Sequence, residues 1–126
     1  MNAPTQPFLS KARESLAGAE SEFVNARYNN CANRCYYACF QAAIHALTQA
    51  GVRPTNDQWG HDFVQAQFVG LLINRRKIYP ALLRDVLSRG IALRQIADYQ
   101  TDGVGQTRAA RMLKSTRDFL DVISQK

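Results

Sequence analysis

The sequence lacks the features of a membrane or secreted protein. None of its apolar runs approaches the roughly 20 residues that span a bilayer. Its first residues, Met1-Asn2-Ala3-Pro4-Thr5-Gln6-Pro7, have neither the basic region nor the apolar stretch of a secretion signal. We therefore expect a cytoplasmic protein with no membrane contact. In that compartment its three cysteines, Cys31, Cys35 and Cys39, are expected to be free thiols.

Acidic residues are scarce relative to basic ones. Ten Asp and Glu residues oppose sixteen Lys and Arg residues, which gives a formal net charge of +6 and a pI of about 9.6. This balance favours an anionic partner such as RNA, a nucleotide or an acidic protein, and it says nothing about reaction type. The length of 126 residues fits one domain and is too short for two.

Motifs of several common enzyme classes are also missing. The sequence has no glycine-rich phosphate loop, no zinc-protease helix motif and no nucleophile elbow. The cysteines are spaced four residues apart, but structural zinc normally takes ligand pairs from separate elements, and no second pair exists here. We expect no metal and no cofactor, and we expect the cysteines to be small buried residues.

What the sequence does contain is a series of helical patterns without any strand pattern. From about Asn30 to Ala50 it predicts a helix that is apolar on every face except one narrow polar stripe. Such a helix must be surrounded by neighbours, which makes it the central helix of a bundle. Gly51 and Pro54 are expected to end it. The polar stripe consists of Arg34, Gln41 and His45, with Tyr37 at its edge.

Further amphipathic helices are predicted on both sides of the central one. The first spans roughly Phe8 to Ala26 after a flexible lead of residues 1–7, and the last spans roughly Gln106 to Ser124. The outer face of the last helix is basic. Its members are Arg108, Arg111, Lys114 and Arg117. The predicted fold is all-α, a single-domain antiparallel bundle of four to five helices over residues 1–126.

Two helices are predicted between the central and last ones. The third helix has N-cap candidates in Thr55, Asn56 and Asp57 and is expected to end before a basic loop, residues 74–77. Pro80 suits the first turn of the fourth helix, because its missing N–H costs nothing there. Gly90, on the inner face of the fourth helix, would let another backbone come close.

Arg94 is the most informative single residue. On the fourth helix it falls in angle between Leu83 and Leu87, inside the apolar stripe. A guanidinium there needs a partner, because an unpaired buried charge costs several kcal/mol or more. Asp98 lies four residues on, and Tyr99 could add a hydroxyl. One interpretation is an internal Arg–Asp pair, and the other is a phosphate-binding or catalytic arginine.

Other polar groups also have two interpretations each. If the fourth helix packs along the polar stripe, Arg34 would lie near Arg94 and the two cations would favour a bound anion. Alternatively, the stripe is a hydrogen-bonded seam that sets helix register or a subunit interface. His61 and Asp62 are either an acid–base pair or a cap and a surface charge. The basic loop and the outer face of the last helix either grip a nucleic-acid backbone or are solvated surface.

Three segments resemble signatures of the HEPN domain family. Within residues 26–43, the run Arg34-Cys35-Tyr36-Tyr37-Ala38 resembles its Arg-x-Tyr-Tyr-Ala helix. Gly60-His61-Asp62-Phe63 resembles the histidine-containing start of its third helix, and Arg94-Gln95-Ile96-Ala97-Asp98-Tyr99 resembles its Arg-x-x-Ala-Asp-Tyr segment. The resemblance covers nearly the whole chain in order.

The resemblance implies a helical bundle that forms a homodimer, often encoded beside a minimal nucleotidyltransferase as a toxin–antitoxin pair. Many members are metal-independent ribonucleases whose site is an Arg followed, after four to six residues, by a His. Here those positions hold Tyr99, Gln100 and Thr101, and no histidine follows Arg94. In some members a Tyr two residues beyond that His is adenylylated by the partner, and Thr101 occupies that position.

The missing histidine determines which functional hypothesis is placed first. RNA cleavage without metal needs groups that move protons near neutral pH, a task suited to His. The leading hypothesis is therefore a homodimer that binds nucleotide or RNA phosphate as the partner of a nucleotidyltransferase. One alternative is a divergent endoribonuclease that uses Arg94 with Tyr99 or His61, and another is a helical interaction module whose seam only fixes dimer register. The predicted ligand-binding residues are Arg34, Tyr37, His61, Arg94, Asp98 and Tyr99.

Overall fold

The computed structural model describes residues 7–126, and five helices make up most of that range. The helices are α1 (Pro7–Val24), α2 (Tyr28–Gln49), α3 (His61–Gln67), α4 (Val86–Tyr99) and α5 (Gln106–Ser124). A π-helical segment, Phe68–Arg75, continues directly from α3, and short 3₁₀ turns lie at Thr55–Asp57 and Ala81–Leu83. Residues 7–126 contain no strand, and the all-α fold is confirmed.

The central element of the bundle is α2. Helices α1, α4 and α5 all pack against it, and α3 with its π-helical extension joins them. Because most of its buried side chains are those of Ala and Cys, neighbours can approach closely on several sides and remove that surface from water. The predicted central helix is confirmed. Its buried residues are Cys31, Ala32, Cys35, Tyr36, Ala38, Cys39, Ala42, Ala43, Ile44, His45, Ala46 and Leu47.

The end of α2 follows the predicted stop signal. Gly51 takes a φ of 85°, in the left-handed region that glycine adopts without steric cost. The Gly51 N–H donates to the carbonyl of Thr48 at 3.0 Å, and the Val52 N–H donates to that of Leu47 at 2.9 Å. This pair of bonds is a Schellman motif, which satisfies carbonyls that the helix itself leaves without partners.

Aromatic rings and buried thiols fill the interior between α2, the π-helical segment and α5. The Phe68 ring lies 5.3 Å from that of Phe119 and 5.5 Å from that of Tyr79. The thiol of Cys39 donates to the Thr116 hydroxyl at 3.5 Å, and burial raises the pKa of this thiol to about 12. All three cysteines are free and buried, as expected of small core residues.

The expected start of the third helix is wrong. The predicted N-cap residues form a separate 3₁₀ turn, Thr55–Asp57, in which Asn56 and Asp57 adopt left-handed φ values of 56° and 58°. Short polar side chains tolerate that conformation, which breaks a helix. The helix α3 instead begins at His61, and Gly60 precedes it without any side-chain cap.

Other boundaries differ from expectation by smaller amounts. The helical path after α3 continues to Arg75, so the first two residues of the expected basic loop are helical. Pro80 starts a 3₁₀ turn and not the fourth helix, since the N–H of Leu83 donates to its carbonyl at 3.0 Å and α4 begins only at Val86. Pro7, expected in the flexible lead, is the first residue of α1, and residues 1–6 of that lead lie outside the described part.

No helix in residues 7–126 combines the length and apolarity required to cross a membrane.

Gly90 lies where α4 packs closely on α2, and its substitution tests this packing. A Cβ built on Gly90 would lie 3.4 Å from both Met112 Cε and Tyr36 Cδ1 and 3.7 Å from Tyr36 Cα. A Gly90→Val variant adds two further methyl groups where the backbone of α2 cannot yield, and we expect it to lose about 1–3 kcal/mol of unfolding free energy. Urea denaturation measures this loss.

Gly70→Val provides the matched control for Gly90→Val. A Cβ at Gly70 meets nothing within 4 Å, so the same chemical change there should leave stability nearly unchanged. Equal losses at the two positions would contradict the close packing of α4 on α2.

Candidate functional site around Arg94

Arg94 projects from α4 onto two aromatic rings of α2. Its Cζ lies 5.7 Å from the ring centre of Tyr36 and 5.3 Å from that of Tyr37. The side chain is 29% exposed, and its Nε lies 3.3 Å from Asp98 Oδ2. The expectation that this guanidinium faces inward, next to Asp98, is therefore met. We call Tyr36, Tyr37, His61, Arg94 and Asp98 the Arg94 cluster.

The tyrosine rings and the carboxylate together hold Arg94 in place. Its buried Nε forms no hydrogen bond, although Asp98 Oδ2 is near, because the N–H does not point at that oxygen. At exposed sites, an ion pair four residues apart on a helix contributes about 0.3–0.5 kcal/mol and a cation–π contact about 0.5–1 kcal/mol, and partial burial increases both. No hydrogen bond joins the guanidinium to any of residues 7–126, so its donors remain available to an acceptor.

Tyr36 connects the arginine to the start of α3. Its ring packs at 6.4 Å and 69° against the His61 ring and stacks at 5.7 Å on Phe40. Burial raises the pKa of Tyr36 to about 12, although Arg94 opposes the shift. With only 4% of its surface exposed, Tyr36 is a platform for other groups and a poor proton donor or acceptor. Sequence reasoning missed this role because Tyr36 lies outside the polar stripe.

His61 brings an imidazole to the edge of the cluster. Its Nε2 lies 2.9 Å from Asp62 Oδ1, and both side chains are accessible at the first turn of α3. The imidazole of this pair and the Arg94 guanidinium thus both lie against the ring of Tyr36. An imidazole paired with a carboxylate can accept a proton, and a cation nearby can bind a phosphate. The expected side-chain cap is wrong, because none is formed at Gly60. The side chain of Asp62 is fully exposed, which agrees with the interpretation of this residue as a surface charge.

The polar stripe of α2 faces α1, not α4. The Gln41 amide meets the Ser15 hydroxyl at 2.8 Å. In the amide orientation that satisfies all groups, the Gln41 nitrogen also donates to the backbone carbonyls of Lys11 and Tyr37. The seam between α1 and α2 therefore supports the hydrogen-bonded interpretation, since it fixes the register of two helices within the chain.

Arg34 belongs to this seam and not to the Arg94 cluster. A Cβ on Gly18 of α1 would lie 3.6 Å from Arg34 Cδ, so the arginine stem runs across α1 while its head is solvated. The expected packing of the fourth helix along the stripe, with Arg34 next to Arg94, is wrong. The last predicted ligand residue, Tyr99, ends α4 next to Asp98. It is 81% exposed and does not belong to the Arg94 cluster.

The predicted basic surface of α5 is exposed, and part of its charge is neutralised. Arg117 pairs with Glu20 at 2.7 Å, and Lys114 pairs with Asp118 at 3.1 Å. Within residues 7–126, Arg108 and Arg111 form no ion pair. Among the same residues, no group of three or more His, Cys, Asp or Glu side chains could hold a metal ion.

The chain is an all-α bundle, and an arginine of its fourth helix rests on two tyrosines of its central helix. The profile of the HEPN domain matches residues 5–126, and the chain belongs to the HEPN domain family. It is similar to the protein named Putative toxin MJ0605 of Methanocaldococcus jannaschii. The two are 28% identical over 120 residues, which cover 95% of this chain and 86% of that protein.

The buried histidine of the stripe makes stability depend on pH. His45 is 7% exposed, and burial, with a smaller effect of Arg13, lowers its pKa below the usual 6.5. The unfolded chain therefore binds a proton more readily than the folded chain as pH falls below about 6.5. We expect the contribution of His45 to be complete above that pH and to be lost as pH falls towards its folded pKa.

Urea midpoints at pH 7.5 and pH 5.5 test this dependence. The His45→Gln variant should show a smaller drop between the two values than the parent, because it has no imidazole to protonate there. The same substitution at the accessible His61 should keep the parental drop. A parental drop in His45→Gln would assign the effect to other groups.

Proposed function

We propose that the chain is a toxin–antitoxin component that binds RNA or nucleotide phosphate through the Arg94 cluster. Membership of the HEPN family and the name of its archaeal relative support the toxin–antitoxin setting. The homodimer and the nucleotidyltransferase partner belong to the same proposal. The observation that carries it is the Arg94 guanidinium, held on two rings with its donors unbonded.

The chemistry of the cluster suits a phosphate ligand. A guanidinium presents five N–H donors in a planar fork, which matches phosphate oxygens, and stacking on rings fixes the plane of that fork. Fixing it in advance lowers the entropy that binding would otherwise cost. The nearby Asp98 opposes anion binding, but it is accessible and off the N–H axis, so a phosphate can replace it.

RNA binding tests this role of Arg94. We expect Arg94→Gln to weaken binding of a short single-stranded RNA by about 10-fold or more, because a charge-assisted hydrogen bond contributes about 1.5–3 kcal/mol. Fluorescence anisotropy at low salt measures the affinity, and circular dichroism confirms that the variant folds.

Arg89→Gln is the matched control for Arg94→Gln. Arg89 lies on the same helix and also pairs with a carboxylate four residues away, at 3.2 Å from Asp85, but it rests on no tyrosine ring. The Arg89→Gln substitution removes the same charge and should change the affinity for RNA by less than about 3-fold. Equal losses in both variants would point to bulk charge. If neither RNA nor nucleotide binds and Arg94→Gln only lowers the melting temperature, the purely structural interpretation replaces this proposal.

A second candidate function is metal-independent RNA cleavage, and the position of His61 favours it. In this case His61 of α3 would take the place of the histidine missing after Arg94, since its ring packs against the Tyr36 ring on which Arg94 rests. Cleavage also needs a second group to protonate the leaving oxygen. Tyr36, with its raised pKa, is poorly suited to that step, and the cluster contains no second imidazole. For this reason we place binding first.

Incubation of RNA with chelator separates cleavage from binding. We expect the parent protein to leave RNA intact while still binding it, as read from a denaturing gel and from anisotropy. Cleavage by the parent that is lost in both Arg94→Gln and His61→Gln would instead establish the ribonuclease. Cleavage that persists in both variants would show a contaminating activity.

A further inference from the structure

A second cationic site lies in the connection between the π-helical segment and α4. An open pocket of about 500 Å³ is formed where the π-helical segment ends and the chain turns towards α4. We call it the Arg84 pocket. It is lined by Ile73, Asn74, Lys77, Ile78, Tyr79, Pro80, Ala81 and Arg84. The only charged residues in this lining are basic.

The Arg84 guanidinium is already oriented for a ligand. Its Nε and Nη2 both donate to the Asn74 side-chain oxygen, at 3.2 and 2.9 Å. Because a guanidinium has five N–H donors, three remain for another acceptor. No ion pair within residues 7–126 involves Arg84, so its charge is not neutralised. The nearest carboxylate in sequence, Asp85, pairs with Arg89 instead.

Lys77 supplies the second positive charge from an unfavourable backbone conformation. Its φ is 55°, in the left-handed region where glycine or asparagine is preferred. A lysine at such a position gives up backbone stability, and an ion-binding role for its side chain would account for that choice. The positive charge of Lys77 also interacts favourably with the free carbonyls at the C-terminal end of the preceding π-helical segment, which explains in part why a lysine is found here.

The remainder of the pocket is apolar. Ile78, Pro80 and Ala81 belong to its lining, as does Tyr79, whose buried ring stacks on Phe68. The volume falls in the range of small-molecule sites. A ligand that fits both the basic residues and the apolar lining combines a phosphate with a flat, largely apolar body.

We infer that the Arg84 pocket binds a nucleoside phosphate, with the phosphate on Arg84 and Lys77. The ligand is either a free nucleotide or the phosphorylated end of an RNA strand. This site shares no residue with the Arg94 cluster, so the inference does not rest on the proposed function.

Binding of defined probes tests the site. Calorimetry with AMP, with inorganic phosphate, and with a short RNA carrying either a 5′-phosphate or a 5′-hydroxyl separates the possibilities. Binding of AMP identifies a free nucleotide, whereas tighter binding of the 5′-phosphorylated RNA than of the 5′-hydroxyl RNA, without binding of AMP, identifies an RNA end. No binding by any probe, or AMP and both RNAs binding no more tightly than inorganic phosphate, would overturn the inference.

Variants assign the binding to this pocket. Arg84→Gln is expected to weaken it by about 10-fold or more. Lys77→Gly should weaken it as well while leaving the melting temperature unchanged or higher, since glycine removes the backbone strain. A ligand loss in this variant would then not be due to unfolding. Binding unchanged in both variants would overturn the inference.

Two controls keep this result apart from the proposed function. Arg53→Gln removes an exposed charge outside the pocket and should change affinity by less than about 2-fold. Arg94→Gln should leave binding at the Arg84 pocket intact. If Arg94→Gln abolished it while Arg84→Gln did not, the ligand would belong to the Arg94 cluster.

Discussion

The structure depends on the burial of α2 on several sides at once. A helix in that position has little solvent-exposed surface, so each polar group it carries must find a partner, remain uncharged or reach water at the edge of the bundle. Gln41 meets Ser15 of α1, and His45 is held towards its neutral form by burial. Arg34 extends its stem over Gly18 until the charge reaches water. Burial of one helix therefore determines which face α1 occupies and leaves the tyrosine face to α4.

The face of α2 that carries Tyr36 and Tyr37 then determines where an arginine can be held by aromatic rings. A carboxylate partner would hold an arginine and cancel its charge, whereas aromatic rings hold it and leave the charge unchanged. Arg94 contacts both Tyr36 and Tyr37, and Asp98 lies 3.3 Å from its Nε. Arg117 and Arg89 are likewise paired with carboxylates, but neither rests on a tyrosine ring. What distinguishes the Arg94 cluster from the other basic positions is therefore the pair of rings, which fixes the plane of the guanidinium.

The sequence predicted the fold better than it predicted the site. Periodicity identified the central helix and the inward position of Arg94, because both depend only on which residues share a helical face. It could not show which neighbour meets which face, and so it placed Arg34 beside Arg94. The role of Tyr36 was missed for a related reason: a tyrosine on an apolar face has the pattern of a core residue until its neighbours are known. The N-cap candidates before α3 failed because Asn56 and Asp57 also favour the left-handed turn that they form.

The π-helical segment links the fold to the second basic site. A π-helix is wider than an α-helix, so it rotates each residue less and directs its last turn differently. In this chain that last turn contains Asn74, whose side chain meets Arg84 across the connection to α4. Hydrogen bonds from Ile78 and Tyr79 to the carbonyl of Leu72 close the turn that follows, and Lys77 lies within it. Asn74, in the last turn of the segment, and Lys77, just after it, both line the Arg84 pocket. The path of this last turn therefore determines which side chains reach the pocket.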